Sequence, residues 1–163
     1  MNYSKTLLAA VALTFGAGIA SSQNPAFNQE SIAVAGSVNP ESIPKHARSY
    51  IHKYFHNQQV VEVEKEFLSD EYEVKLSSGT ELTFNKKGDI QEIDAADNAV
   101  IPTDIVKAFL PRTAYKALEK FNYAKFIDNL KKTKKGYVAD VDDAFDTEVS
   151  FNPYGELVSI SVD

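Results

Sequence analysis

The 163-residue chain contains no cysteine and no tryptophan, one methionine and three histidines. Without cysteine it has no disulfide, no thiolate ligand for a metal and no cysteine nucleophile. It also lacks a glycine-rich phosphate loop, a nucleophile elbow and the HExxH zinc motif. Basic residues are outnumbered 17 to 23 by acidic ones, and the net charge of −6 disfavours nucleic acid as a partner. We therefore expect neither an enzyme nor a cofactor-binding protein.

The first 22 residues have the pattern of a secretory signal peptide. Lys5 is followed by the apolar stretch LLAAVALTFGAGIA, which is too short to span a bilayer. Ala20 and Ser22 then provide small residues for cleavage before Gln23. This pattern predicts a periplasmic or secreted protein with no membrane span after cleavage, and an uncleaved anchor is the alternative. Residues 23–42, which show no hydrophobic period, are predicted to form a flexible tether.

One sequence pattern occurs twice, 67 residues apart. TELTFNKKGDIQEI occupies residues 80–93 and TEVSFNPYGELVSI occupies residues 147–160. In both copies polar and apolar residues alternate with the period of a half-buried strand, and a turn with glycine follows, so each copy predicts a β-hairpin. Upstream, YEVKL at 72–76 and YVADV at 137–141 predict one further strand in each copy, and QVVEVEKEF at 59–67 predicts a first strand.

Helices are predicted to precede the strands of each copy. Ile-Pro pairs lie at 43–44 and 101–102, and the helix after the first pair carries an apolar stripe at helical spacing. Residues 112–121 predict another helical segment, whereas the pattern of 123–132 fits either a strand or a helical turn.

The predicted fold class is α+β, built as a tandem repeat of two α-β-β-β-β units. The first unit spans residues 43–94, a linker spans 95–100, and the second unit spans 101–163. Because neither unit is large enough to bury a core alone, we expect one antiparallel sheet with the helices packed on one face.

The order of these motifs resembles the PepSY-like exported proteins, also described as β-lactamase-inhibitor-like. The resemblance rests on Tyr-x-Val-x-Leu, then Gly-Thr-Glu-Leu-x-Phe-Asn-x-x-Gly, after an Ile-Pro pair and an amphipathic helix. It covers residues 43–163 and implies a tandem α/β repeat with a curved sheet whose open face contacts another protein. The family implies no catalytic residues. The second copy departs from the pattern, since DDAFD at 142–146 replaces the tight turn SSG at 77–79.

Alternation along the strands predicts which side chains face the core. In the first copy these are Val61, Val63, Tyr72, Val74, Leu76, Leu82 and Phe84. The opposite face then carries Glu62, Glu64, Glu73, Lys75 and Glu81, with Asp140, Asp142, Glu148 and Ser150 in the second copy. A solvated sheet face is the plain interpretation, and an acidic docking surface for a basic partner is the functional one. Tyr154, at the tip of the second hairpin, is a candidate aromatic anchor.

Other polar clusters are weaker candidates. The residues Asp140, Asp142, Asp143 and Asp146 lack the spacing and the glycine of a calcium loop. His52 and His56 have the i, i+4 spacing of metal ligands, but the only third histidine, His46, lies on a different part of the helix. The lysine-rich stretch 131–136 predicts a solvated loop that discourages edge pairing. We therefore predict no metal site.

The function predicted from the sequence is that of an exported, non-enzymatic module that binds a protein partner in the cell envelope. The predicted contact surfaces are the open sheet face and the hairpin tips, and the chain is expected to be a monomer. The alternative is a structural or envelope-associated module that binds glycan or calcium and has no protein target.

Overall fold

The computed structural model describes residues 32–66 and 68–162, so the predicted signal peptide and much of the predicted tether lie outside it. Its described part contains a 3-10 turn at Pro40–Ser42, three α-helices and eight β-strands. The helices are α1 (Lys45–Tyr54), α2 (Thr103–Phe109) and α3 (Arg112–Lys120). The strands are β1 (Val60–Lys65), β2 (Tyr72–Leu76), β3 (Glu81–Phe84), β4 (Ile90–Asp94), β5 (Ile127–Thr133), β6 (Gly136–Val141), β7 (Thr147–Phe151) and β8 (Leu157–Val162).

The eight strands form one open antiparallel sheet in which neighbours in sequence are neighbours in space. β1 lies at one edge and β8 at the other, and α2 and α3 connect β4 to β5 in the middle. The predicted α+β class is confirmed. Before α1, Val34 forms a short parallel bridge with Val60 of β1, within the stretch predicted to be a tether.

The core lies on one face of this sheet, as the period-2 alternation requires. A single row of directly opposed residues crosses all eight strands: Val63, Val74, Leu82, Ile93, Leu130, Ala139, Val149 and Ile160. The middle six of these residues are buried, and they join Ile51, Val106 and Leu118 from the three helices in one hydrophobic cluster. The helices therefore cover this face.

Two turn glycines hold the hairpins against helix N-termini in the same way in both halves. Gly88 (φ +85°) follows β3, and a Cβ on it would lie 2.6 Å from the backbone nitrogen of Ala47 in α1. Gly155 (φ +81°) follows β7, and a Cβ on it would lie 3.0 Å from the nitrogen of Ala114 in α3. Both the glycines and the helix residues are 67 positions apart. The counterpart of α1 is therefore α3.

The structure corrects two local expectations from the sequence and decides a third that the sequence left open. The Ile-Pro pair at 101–102 begins the extra helix α2, and the counterpart of Pro44 is Pro111, the N-cap of α3. Residues 127–133, left open between strand and helical turn, form strand β5. Val61, predicted to face the core, is 38% exposed because the register shifts between Val60 and Glu62, so that Val60 is buried instead.

Candidate functional site

The face of the sheet opposite the helices carries two rows of directly opposed residues, all polar except Val138. From β1 to β8, one row reads Glu62, Lys75, Glu81, Asp94, Asn129, Asp140, Glu148 and Ser161. The other reads Glu64, Glu73, Thr83, Glu92, Lys131, Val138, Ser150 and Ser159. None of these residues is buried, so no described part of the chain covers this surface. We call its carboxylates the acidic face: Glu62, Glu64, Glu73, Glu81, Glu92, Asp94, Asp140 and Glu148.

Two lysines neutralise part of this charge. Lys75 Nζ lies 2.7 Å from Glu81 Oε1, and Lys131 Nζ lies 2.7 Å from Glu92 Oε2. Asn129 also donates a hydrogen bond from its side-chain amide to Glu92 Oε1, at 3.3 Å. Within residues 32–66 and 68–162, no other cation forms a salt bridge with the acidic face. The face therefore keeps a surplus of negative charge.

The surplus changes the acidity of individual carboxyl groups. Partial burial, together with the charges of Asp128 and Glu148, raises the pKa of Asp140 to about 6. Partial burial and the neighbouring Glu66 and Glu64 raise the pKa of Glu73 as well. Because neighbouring negative charges contribute to both shifts in addition to burial, the acidic face in its charged form is under electrostatic repulsion. A proton, a cation or a basic partner would relieve it.

The structure places most of the predicted docking residues on this face. Asp142 is an exception, because it lies after the end of β6 and outside the two rows. Its N–H donates a hydrogen bond to the carbonyl of Phe126 at 2.7 Å. Tyr154 lies in the β7–β8 turn with 81% of its surface exposed. Its N–H donates to Asn152 Oδ1 at 2.9 Å, which fixes the backbone that presents the ring.

Sequence reasoning missed the middle of the face. Glu92 and Asp94 flank the buried Ile93 in β4, and this alternation could have identified them. Asp128 was hidden by the uncertain type of its segment, and it lies at a register shift between Ile127 and Asn129. Burial also raises the pKa of Asp128, and Asp142 adds to that effect.

One group of carboxylates has the closeness that metal ligation requires. Candidate ligand atoms of Glu64, Glu66 and Glu73 all lie within 4.8 Å of one another, and the three residues are exposed. No other group of three such residues is this close in the described ranges. Among the aspartates of 140–146, Asp143 stabilises the loop instead: its Oδ1 accepts hydrogen bonds from the N–H of Phe145 and from the hydroxyl of Thr147.

A depression lies beside the acidic face, where the β2–β3 turn meets the end of β4. Its volume is about 410 Å³, and its lining includes Lys75, Ser78, Glu81, Asp94 and Asp97. It is open to solvent and polar, unlike the enclosed, mostly apolar pockets in which small molecules bind. The surface is therefore better suited to a large partner than to a small substrate.

Comparison with known proteins identifies the chain's relatives. The family model described as "Putative beta-lactamase-inhibitor-like, PepSY-like" matches residues 29–92 and again residues 70–159. The chain belongs to this family. No curated protein sequence matches this PepSY-like chain. The description of the family names no enzymatic activity.

Solved structures of similar proteins come from Bacteroides species. A "putative periplasmic protein of unknown function" from Bacteroides vulgatus is 31% identical, with a TM-score of 0.63 over 76% of this chain and 94% of that one. A "putative calcium-regulated periplasmic protein" from Bacteroides thetaiotaomicron is 24% identical, with a TM-score of 0.60 over the same shares, 76% and 94%. The predicted location, periplasmic or secreted, is confirmed as periplasmic by the relative that is 31% identical. No helix among the described residues has the length and apolarity to cross a membrane.

Proposed function

We propose that this PepSY-like protein is an exported, non-enzymatic binding module that docks a basic surface of a partner protein on its acidic face. The observation that carries the proposal is the composition of the two uncovered rows. They hold eight carboxylates and only two lysines, and the carboxylates extend from β1 to β7. Such a surface attracts lysine and arginine side chains over the whole width of a protein interface.

The electrostatic repulsion among the carboxylates of the acidic face supports binding to a positively charged partner. Carboxyl groups with raised pKa values, such as Asp140 and Glu73, are stabilised in their charged form when a positive group approaches. Electrostatic attraction of this kind mainly increases the association rate, and added salt screens it. Binding should therefore weaken with ionic strength, and it should also weaken as the pH falls through 6 and Asp140 becomes protonated.

Tyr154 offers a second contact to the same partner. Its ring is exposed on a turn closed by the hydrogen bond from Gly155 N–H to the Asn152 carbonyl, at 2.9 Å. Aromatic side chains on rigid backbone lose little conformational entropy on binding and often dominate interface energies. Replacing Tyr154 by alanine should speed dissociation, whereas charge changes on the acidic face should slow association.

The test is affinity capture from an envelope extract of the host with a pair of matched variants. Glu64→Lys with Glu73→Lys reverses two exposed charges on the acidic face. Asp104→Lys with Glu119→Lys reverses two exposed charges on α2 and α3, so the net charge changes equally. A partner retained by the helix variant and lost by the face variant supports the proposal. Equal retention by both variants would place the site elsewhere, and equal loss would indicate attraction to net charge alone.

The same variants test the alternative of a calcium-binding module without a protein target. If Glu64, Glu66 and Glu73 hold calcium, the ion raises the melting temperature of the unaltered chain by selective binding to the folded state. The face variant would then lose that increase, and neither bait would capture a protein.

A further inference from the structure

Strand β8 is an edge strand with no described cover. It pairs with β7 on one side and with no described strand on the other. All six of its residues, LVSISV, are exposed, and Val158 and Val162 are 67% and 58% exposed. The strand carries no charge, no proline and no glycine, which are the features that normally prevent an edge from pairing. Such an edge presents unpaired N–H and C=O groups for another strand.

In strand β4, the edge equivalent to the free edge of β8 pairs with a further strand of the same chain. It lies 67 positions before β8, and its Ile93 corresponds to Ile160. Ile93 is opposed by Leu82 on one side and by Leu130 of β5 on the other, and it is fully buried. Ile160 is opposed only by Val149 and is 40% exposed. In the first half, therefore, this edge is completed by an antiparallel strand, β5.

The opposite edge of the sheet is protected against this role. In β1 the register shifts between Val60 and Glu62, and the strand carries Glu64 and Lys65. The segment before α1 also occupies the start of this edge: Ala35 N–H donates to Val60 O, and Val60 N–H donates to Ala33 O, both at 2.8 Å. Head-to-tail pairing of β8 with β1 of a second copy is thus opposed by a bulge, by charge and by an occupied position.

A second β8 meets none of these obstacles. The strand is uncharged, so two copies in antiparallel register do not place like charges together. An antiparallel pair of identical strands has a two-fold axis, and this kind of contact closes at a dimer instead of growing into a filament.

We propose that two copies of this chain associate through antiparallel pairing of their β8 strands, which joins their sheets into one. Leu157, Ile160 and Val162 of the two copies then lie together on the helix-covered side of the joined sheet. The two acidic faces lie on the same side of the joined sheet, because residues paired across antiparallel strands point to the same face. This departs from the monomer expected from the sequence.

Sedimentation equilibrium of the full chain across a range of micromolar concentrations tests the proposal. We expect a reversible monomer–dimer equilibrium. Ile160→Lys should weaken it at least about tenfold, because it places a charge in the paired edge. The matched control is Val61→Lys on β1. Val61 is 38% exposed and Ile160 is 40% exposed, so both variants place a lysine at an edge-strand position of similar exposure. Thermal unfolding of both variants checks that each is folded.

The absence of cysteine permits a direct test of geometry. A single cysteine introduced at Ser159 or Ser161 should form a disulfide between copies, since Cα atoms near the two-fold axis lie within about 6 Å. The same substitution at Ser78, in the β2–β3 turn, should not. Disulfide formation at a β8 position, with an intact dimer for the Val61 variant, supports the proposal. A monomer at every concentration overturns it, and so does a dimer that Val61→Lys disrupts as strongly as Ile160→Lys.

Discussion

The same cross-strand position carries opposite charge in the two halves of the molecule. Lys75 is directly opposed by Glu81 in the first half, and Asp140 is directly opposed by Glu148 in the second. The first pair forms a salt bridge of 2.7 Å. The second pair is two carboxylates, and the pKa of Asp140 rises to about 6. The two halves thus share a backbone frame but differ in charge at this position, where the first half has an attractive pair and the second half a repulsive one.

The second half also exposes apolar groups that the first half covers or lacks. Ile160 and Tyr154 are 40% and 81% exposed, and the longer β6–β7 loop carries Phe145, which is 66% exposed. The frame around that loop is nevertheless the same. Ser77 N–H donates to Gln59 O at 2.8 Å in the first half, just as Asp142 N–H donates to Phe126 O at 2.7 Å in the second. The first half therefore carries six of the eight carboxylates of the acidic face, whereas the second half carries the exposed side chains of Ile160, Tyr154 and Phe145.

The largest expected difference between the halves concerns the paired isoleucines. Ile93→Ala should lower the free energy of unfolding by about 2–5 kcal/mol, because it leaves a cavity at a fully buried position. Ile160→Ala should cost less than about 1 kcal/mol in the monomer, since that side chain is 40% exposed. Urea unfolding at low protein concentration measures both. Similar losses for the two variants would mean that β8 is covered within a single chain.

Alanine substitutions at the two turn glycines should have similar effects on stability, because both glycines make the same kind of contact with a helix N-terminus. Gly88→Ala and Gly155→Ala should each lower the free energy of unfolding by about 2 kcal/mol, since each places a Cβ against a helix N-terminus at positive φ. Thermal unfolding with calorimetry measures the loss. Gly36→Ala is the control, because nothing lies within 4 Å of the position of its Cβ. A stability loss for Gly88→Ala without a similar loss for Gly155→Ala would contradict the equivalence of α3 and α1.

Much of this frame was predictable because it rests on local patterns. Alternation and turn glycines identified the hairpins that became β3–β4 and β7–β8, and the acidic side chains that alternate with their core residues. The register shift at Val61 was not predictable, since nothing in the local alternation marks a bulge. The role of Pro111 was missed for another reason. Helix equivalence depends on which N-terminus packs against a distant glycine, and the Ile-Pro pair at 101–102 imitates the local pattern without that contact.

The exposed edge of β8 could not be predicted from the sequence either. Ile93 and Ile160 stand at the same place in two nearly identical sequence patterns, yet one is buried and the other is 40% exposed. The difference lies in what comes next along the sheet: β5 follows β4, whereas no described strand follows β8. Burial at that position depends on a neighbouring element, so no property of the hairpin sequence itself could reveal it.

A smaller effect is expected where the halves differ in charge. The pKa of Asp140 is raised from 3.8 to about 6 by folding, so its contribution stabilises the fold below pH 4 and is lost as the pH rises through 6. Asp140→Asn should therefore raise the free energy of unfolding at pH 7.5 by about 1 kcal/mol, after allowance for solvent screening, and leave it nearly unchanged at pH 4. Urea unfolding at the two pH values measures this. An equal effect at both would exclude titration as the cause.

The smallest effects should have opposite signs in the two halves. Glu81→Gln removes an exposed salt bridge with Lys75 and should lower the free energy of unfolding by about 0.5 kcal/mol. Glu148→Gln removes a negative charge that raises the pKa of Asp140, and should increase it by a similar amount, about 0.5 kcal/mol. Both differences should shrink in high salt, because screening acts on attraction and repulsion alike. If both variants instead lose stability, the carboxylate of Glu148 has a favourable contact that outweighs its repulsion with Asp140. The charge difference between the halves would then bear on partner binding alone and not on folding.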